Sequence, residues 1–207
     1  MEATASALQN IRLENDPKKL ALLTYEKNPL IRLEVARNSF TPSLVFDSLM
    51  RDTLEIKQAL ASNPSLVEPY ITTLILHNDD QSIIDTLANN IALEEEHLRL
   101  IYQRFGYLDG LLINNPRCPE DVIRSSFLVF QNFIVEGHKL EALSGDLFKV
   151  FIANPNTPLD ILGRIFLLNP KYQKEILESA KIKQPLLENL SDEDLIVSLT
   201  RQVKPIY

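Results

Sequence analysis

Asparagine recurs at a near-fixed interval along this 207-residue chain, and that interval constrains the fold more than any other feature. Asn38, Asn63, Asn90, Asn115 and Asn154 are separated by 25, 27, 25 and 39 residues. The last gap equals one period plus an insertion of about 13 residues. Around these positions one phrase is repeated with variation: VARNSFTPSL, LASNPSLVEP, LINNPRCPED and FIANPNTPLD. A period of this length is the mark of a small supersecondary unit that cannot bury its apolar face alone and must stack on copies of itself.

The columns aligned by the asparagines describe the unit. Seven residues before each stands Ile31, Ile56, Ile83, Leu108 or Leu147; three before, Val35, Leu60, Leu87, Leu112 or Phe151; two before, Ala36, Ala61, Ala88, Ile113 or Ile152. Apolar residues at i, i+4 and i+5 form one face of a short helix. Asparagine tolerates a positive φ, so it is expected to close that helix in a left-handed conformation. Pro64, Pro116 and Pro155 follow directly and forbid continuation. Thr41-Pro42 and Thr157-Pro158 then read as the N-cap and first turn of a second helix. Ser65 with Glu68, and Thr157 with Asp160, have the spacing of a capping box. The second helix has its own columns, Phe46/Ile71/Leu98/Ile123/Leu162 and, four residues later, Met50/Ile75/Tyr102/Phe127/Phe166.

The pattern predicts an all-α fold, an α-solenoid of about five two-helix repeats with helical caps, occupying the chain as one repeat domain over 1–207. The repeats fall within 28–170, interrupted by an insertion near 134–146. Residues 1–27 are expected to form an N-terminal cap carrying one helix over 6–25. Residues 171–207 are expected to form C-terminal cap helices, the last starting at Ser191 with Asp194 three residues on.

The phrases VARNSFTPSLVFDSLMRD, LASNPSLVEP, LINNPRCPEDVI and IANPNTPLDIL, spread over about 31–166, resemble the leucine-rich repeat variant family. The resemblance implies repeats that pair an α-helix with a 3₁₀-helix in a right-handed superhelix. It is strongest in the first, fourth and fifth repeats. The second lacks the later Thr-Pro, and the third, LANNIALEEE, lacks both prolines. The N-terminal cysteine cluster of an iron–sulfur member of that family has no counterpart here. The family is a scaffold and implies no reaction.

Composition narrows function further. Net charge is −7, with 9 Lys+Arg against 15 Asp+Glu in residues 1–103 and 12 against 13 in 104–207. A duplex-binding surface normally carries a basic excess. Cys118 is the single cysteine, so no intrachain disulfide or thiolate-based metal site can form. No cofactor and no metal are expected. His77, His97 and His138 have no partner histidine at helical spacing. His97 shares a column with Val45, Tyr70, Val122 and Ile161 and is expected to pack, half-buried. Glu94-Glu95-Glu96 reads as an acidic first turn facing a helix dipole. Cys118 stands in the Thr41/Thr157 column as a cap substitute. No phosphate-binding or nucleophile-elbow motif occurs, so the chain is not read as an enzyme. Neither a signal peptide nor an uninterrupted apolar span is present, and a cytoplasmic location is expected.

The expected function is recognition of a protein partner by a non-enzymatic scaffold or adaptor, with no membrane role. The columns directly before the asparagines (Arg37, Ser62, Asn89, Asn114, Ala153) and two after them (Phe40, Ser65, Ala92, Arg117, Asn156) vary, as a binding surface would. Candidate partner-binding residues are Arg32, Arg37 and Lys57 on the regular surface, and Phe130, Phe133 and His138 around the insertion. The asparagines are read as a structural ladder. The alternative is a nucleic-acid-binding HEAT-like repeat protein of the DNA glycosylase type. That reading needs a recurring basic stripe, yet the column that begins Arg32, Lys57 continues Ile84, Asp109, Phe148, and the chain has no tryptophan.

Overall fold

A computed structural model describes residues 4–106, 110–135, 147–183 and 191–201. Every regular element among them is helical. The chain divides into two compact units, Met1–Arg104 and Phe105–Tyr207.

In the first unit the helices are α1 (Ala5–Arg12), α2 (Pro17–Leu23), α3 (Pro29–Arg37), α4 (Phe46–Met50), α5 (Leu54–Ala61), α6 (Tyr70–His77), α7 (Gln81–Ala88) and α8 (Glu95–Phe105). A 3₁₀ turn, Ser43–Val45, leads into α4. Helices α1, α3, α5 and α7 pack in succession, each on the one before. The expected columns meet at these contacts: Ile31, Val35, Ala36, Ile56, Leu60, Ala61, Ile83, Leu87 and Ala88 are all buried. Phe46, Ile71 and Leu98 are the buried counterparts on the second helices. The N-terminal cap holds two helices rather than one. Asp16 accepts a bond from the Lys18 N–H at 2.9 Å and Pro17 occupies the first turn of α2, so the chain must restart there.

The second unit contains α9 (Leu111–Asn114), α10 (Glu120–Val135), α11 (Leu147–Ala153), α12 (Leu159–Leu168), α13 (Gln173–Lys183) and α14 (Asp192–Arg201), with a 3₁₀ turn at Pro170–Tyr172. Helix α11 packs on α9 and α13, and α12 packs on α14. Phe127 and Phe130 of α10 meet Phe148 and Phe151 of α11, with ring centroids 5.3 Å apart for Phe127–Phe151 and 5.2 Å for Phe130–Phe148, both edge-on. Gly110 opens α9 at φ 85°, and a Cβ there would stand 2.7 Å from Leu147 Cδ2. Glycine is therefore required both by the left-handed backbone and by the space.

The asparagines are framework atoms. Each Oδ1 accepts the backbone N–H two residues on: Phe40, Ser65, Ala92 and Asn156 at 2.8 Å, and Arg117 at 3.0 Å. Each Nδ2 that reaches back does so to the preceding turn. Asn63 donates to the carbonyls of Ala36 (2.8 Å) and Asn38 (2.9 Å). Asn90 donates to those of Ala61 (2.6 Å) and Asn63 (2.9 Å). In the second unit Asn154 donates to those of Ile113 (2.6 Å) and Asn115 (2.9 Å). Helix ends are where carbonyls lose their intrahelical partners, and the asparagine of the next repeat supplies the missing donor. The ladder also extends past the periodic phrase at both ends. Asn38 donates to Ile11 and Glu14 of the N-terminal cap, and Ser179 of α13 donates to Ile152 at 2.8 Å. Helix α1 packs on α3, and α13 on α11.

Three local expectations are corrected. Asn38 and Asn115 are extended, at φ −75° and −74°, not left-handed; the Asx bond to residue i+2 turns the chain without a positive φ. Thr41 and Thr157 are not N-caps: Pro42 and Pro158 occupy those positions, and the threonine hydroxyls donate backwards to Val35 and Phe151, each at 2.5 Å. A buried hydroxyl beside an orphan carbonyl of the finished helix satisfies that carbonyl first. The two capping boxes are likewise absent. Pro69 precedes α6, Ser65 Oγ donates to Ser39 O at 2.5 Å, and Asp160 pairs with Arg124. The Ser191–Asp194 cap does form, with the Asp194 N–H donating to Ser191 Oγ at 3.1 Å. Second helices are α-helical among the described residues, apart from the 3₁₀ turn before α4 and the one after α12.

Candidate functional site

The candidate partner-binding residues separate into different roles. Arg32 is engaged on all sides: it forms a bidentate pair with Asp52 at 2.6 and 3.0 Å and donates to the carbonyls of Glu26 and Lys27. Arg37 is half exposed and lies 3.3 Å from Glu34. Phe130 is 2% exposed and belongs to the aromatic core between α10 and α11, so it is corrected to a packing residue. The core claims it because α11, which follows the insertion, folds back onto α10. The Phe133 side chain and His138 lie outside the described residues, as do Leu108 and Asp109 of the columns. His97 is partly buried as expected, and its Nδ1 also accepts the Glu94 N–H at 3.0 Å while its Nε2 bonds Glu68. Glu95 and Glu96 form the acidic first turn of α8. Cys118 is fully buried in the threonine column.

Lys57 leads to a site. It lines a cavity of about 490 Å³ in the first unit, walled by α4, the second turn of α5 and the length of α6. Arg51 at the end of α4 and His77 at the end of α6 stand at the same cavity. Sequence reasoning missed both as site residues, because they stand in different columns, 13 residues after Asn38 and 14 after Asn63. Among the described residues, none of the three side chains makes a hydrogen bond or ion pair. That isolates them. Of the six arginines of this unit, Arg12 and Arg37 are bonded to Glu34, Arg32 to Asp52, Arg99 to Glu95, and Arg104 to Asp79 and the Ile75 carbonyl. Arg51 is left without such a partner.

The floor of the cavity is mixed. Tyr70 is held by an edge-on contact with Phe46, centroids 5.4 Å apart, and Met50, Pro69 and Leu74 add apolar wall. Thr73 contributes a hydroxyl and Asn78 an amide. Asn78 Oδ1 accepts the Asp80 N–H at 3.2 Å, which fixes the amide orientation, and its buried Nδ2 has no acceptor. A buried donor without a partner costs about 1–3 kcal/mol, so such groups are rare outside sites with work to do. Asp47 is the one carboxylate in the lining. The cavity is thus rich in donors and poor in acceptors.

Several charged groups elsewhere are structural. Glu34 is 4% exposed at its side chain, and the bonds from Arg12 hold its carboxyl below the usual glutamate range despite burial. Arg32 does the same for Asp52. In the second unit burial pushes Asp160 up, but the two Arg124 bonds, 2.8 and 3.0 Å, outweigh it and hold the carboxyl below its ordinary value. The column two places after the asparagines is also less free than its variability suggests. Ser65 and Asn156 bond back to Ser39 O and Pro116 O of the preceding turns.

Among the described residues no group of three or more His, Cys, Asp or Glu side chains is placed to hold a metal ion, and no helix is long and apolar enough to cross a membrane. Compared with known proteins, the chain matches no family model, no curated protein and no solved structure.

Proposed function

We propose that the stacked units form a right-handed α-solenoid of about five repeats, as in the leucine-rich repeat variant family, and that the chain serves as a non-enzymatic cytoplasmic scaffold that binds a protein partner. One observation carries this reading. The five residues directly before the ladder asparagines occupy one framework position, all are exposed, and they read Arg37, Ser62, Asn89, Asn114 and Ala153. The buried positions on either side keep their chemistry while this position changes, which is how a repeat array encodes a binding surface.

The test is reconstitution. A protein captured on the full-length chain is purified separately and titrated back. The expected result is a stoichiometric complex with a dissociation constant below about 10 µM, weakened when the exposed column is replaced by alanine. A nanomolar, strongly salt-sensitive complex with duplex DNA would overturn the scaffold reading in favour of a HEAT-like nucleic-acid binder.

A further inference from the structure

We infer that the cavity between α4 and α6 is a receptor for an oxyanion, a carboxylate or a phosphate, carried on a side chain of a partner polypeptide. The inference rests on the scaffold reading for the polypeptide and on the cavity itself for the anion.

In a molecule of net charge −7, acidic partners are plentiful, and the other arginines of the first unit have taken them. Arg51 and Lys57, both at the cavity, make no hydrogen bond or ion pair among the described residues, and the Asp52 carboxylate that feels Lys57 is already bonded to Arg32. Two cations at one cavity repel, and the carboxylates near them, Asp47 in the lining and the Arg32-held Asp52, offset that only in part. Asn78 adds a donor that is buried and unpaired, on an amide whose orientation its own Oδ1 bond fixes. An oxyanion answers these deficits together: it carries the missing charge, and it offers several lone pairs to donors that have no acceptor. The guanidinium of Arg51 suits it best, since its paired N–H groups match both carboxylate and phosphate oxygens.

Size decides what the oxyanion is attached to. A volume of about 490 Å³ is far more than a bare phosphate fills, and lies in the range of pockets that hold whole side chains or small molecules. The remaining wall is apolar, with Tyr70 held in place by Phe46. That combination takes an anionic head with an aliphatic or aromatic stem, as an acidic or phosphorylated residue presents it. The cavity lies wholly within the first unit, so the array can offer it as a fixed anchor while the varying exposed column supplies the rest of the contact.

The experiment uses the full-length, isotope-labelled chain. Three pentapeptides differing only at the central residue (phosphoserine, glutamate, glutamine) and inorganic phosphate are titrated separately, following the Asn78 side-chain amide and the Arg51 Nε signals by NMR. The phosphoserine or the glutamate peptide should move both signals, and the glutamine peptide neither. In the double variant Arg51→Gln, Lys57→Gln, affinity should fall about 10–100-fold. Neither side chain makes a hydrogen bond or ion pair among the described residues, and Lys57 acts on Asp52 only at a distance, so the melting temperature of that variant should stay within about 2 °C of the parent's. Equal response to the glutamine peptide, unmoved Asn78 signals, or undiminished affinity in the double variant would overturn the inference. Response to inorganic phosphate with none to any peptide would overturn the polypeptide half of it. The scaffold reading fails separately. A partner retained equally by the double variant removes the cavity and leaves the scaffold, whereas peptide binding at the cavity with no reconstitutable partner removes the scaffold and leaves the cavity.

Discussion

The side-chain amide of Asn63 has no exposure to solvent and makes three bonds, two given to the turn before it and one accepted from Ser65. Alanine at this position would strand the Ala36 carbonyl and the Ser65 N–H in a buried site. We expect Asn63→Ala to cost about 2–5 kcal/mol, read as a lowered denaturant midpoint at constant slope. Asn89→Ala, one residue before the next rung and exposed, should stay within about 0.5 kcal/mol. A small loss at Asn63 would mean that water replaces the amide. The sequence shows which asparagines matter, because a buried amide repeated at the structural period leaves a mark that one-off surface amides do not. It does not show their backbone. An Asn before proline suggests a helix-ending left-handed residue, but at Asn115 the Asx bond turns the chain with φ in the ordinary range. Thr41 misleads for a related reason: Thr-Pro has the spelling of a cap, and only the nearby orphan carbonyl of Val35 determines that its hydroxyl points backwards.

Helices in this chain are short, most of them 7–11 residues, and would be marginal alone. They persist because each buries a face against the next, and the buried columns carry that stability. Phe46, Leu74 and Ile161 are at most 2% exposed, and truncating any one to alanine should cost about 2–5 kcal/mol in chemical denaturation. Near-neutral midpoints for all three would mean the helices are held by their caps instead. Apolar periodicity was legible at this scale: nearly every column residue within the described region is buried. Caps were less legible. Asp16 and Asn28 stand before prolines and Asp80 starts α7, and each accepts the bond that begins its helix. The repeat phrase marks the turn after those helices and carries no signal for their starts. Phe130 lies outside the column that Phe127 occupies, and its burial comes from α11, whose Phe148 and Phe151 rings pack against it.

Acid should loosen the whole molecule in a defined window. Glu34 and Asp52 are held below their ordinary values of 4.5 and 3.8 by arginine. A carboxyl depressed in the folded state adds stability that is complete above the unfolded value and is lost as pH falls through the folded one. Stability should therefore decline below about pH 4.5. The double variant Glu34→Gln, Asp52→Asn should be less stable at pH 7 and show a flatter decline between about pH 5 and 3. An unchanged slope would assign acid sensitivity to other groups. At this scale the sequence announces repetition but not the two compact units, nor that the N-terminal segment and α13 join the ladder, because Ile11 and Ser179 lie outside the recurring phrase. Such a ladder is also a grammar with a memory of one word. Each rung consults only the turn before it, so a complete word can be struck out and the sentence still parses. Removing residues 39–63 would bring Asn38 against Pro64 and present Asn90 with the carbonyls of Ala36 and Asn38 in place of those of Ala61 and Asn63. The shortened chain should fold with a proportionally smaller denaturant slope. It would do so without Arg51 and Lys57, so the same excision that spares the fold should silence the cavity.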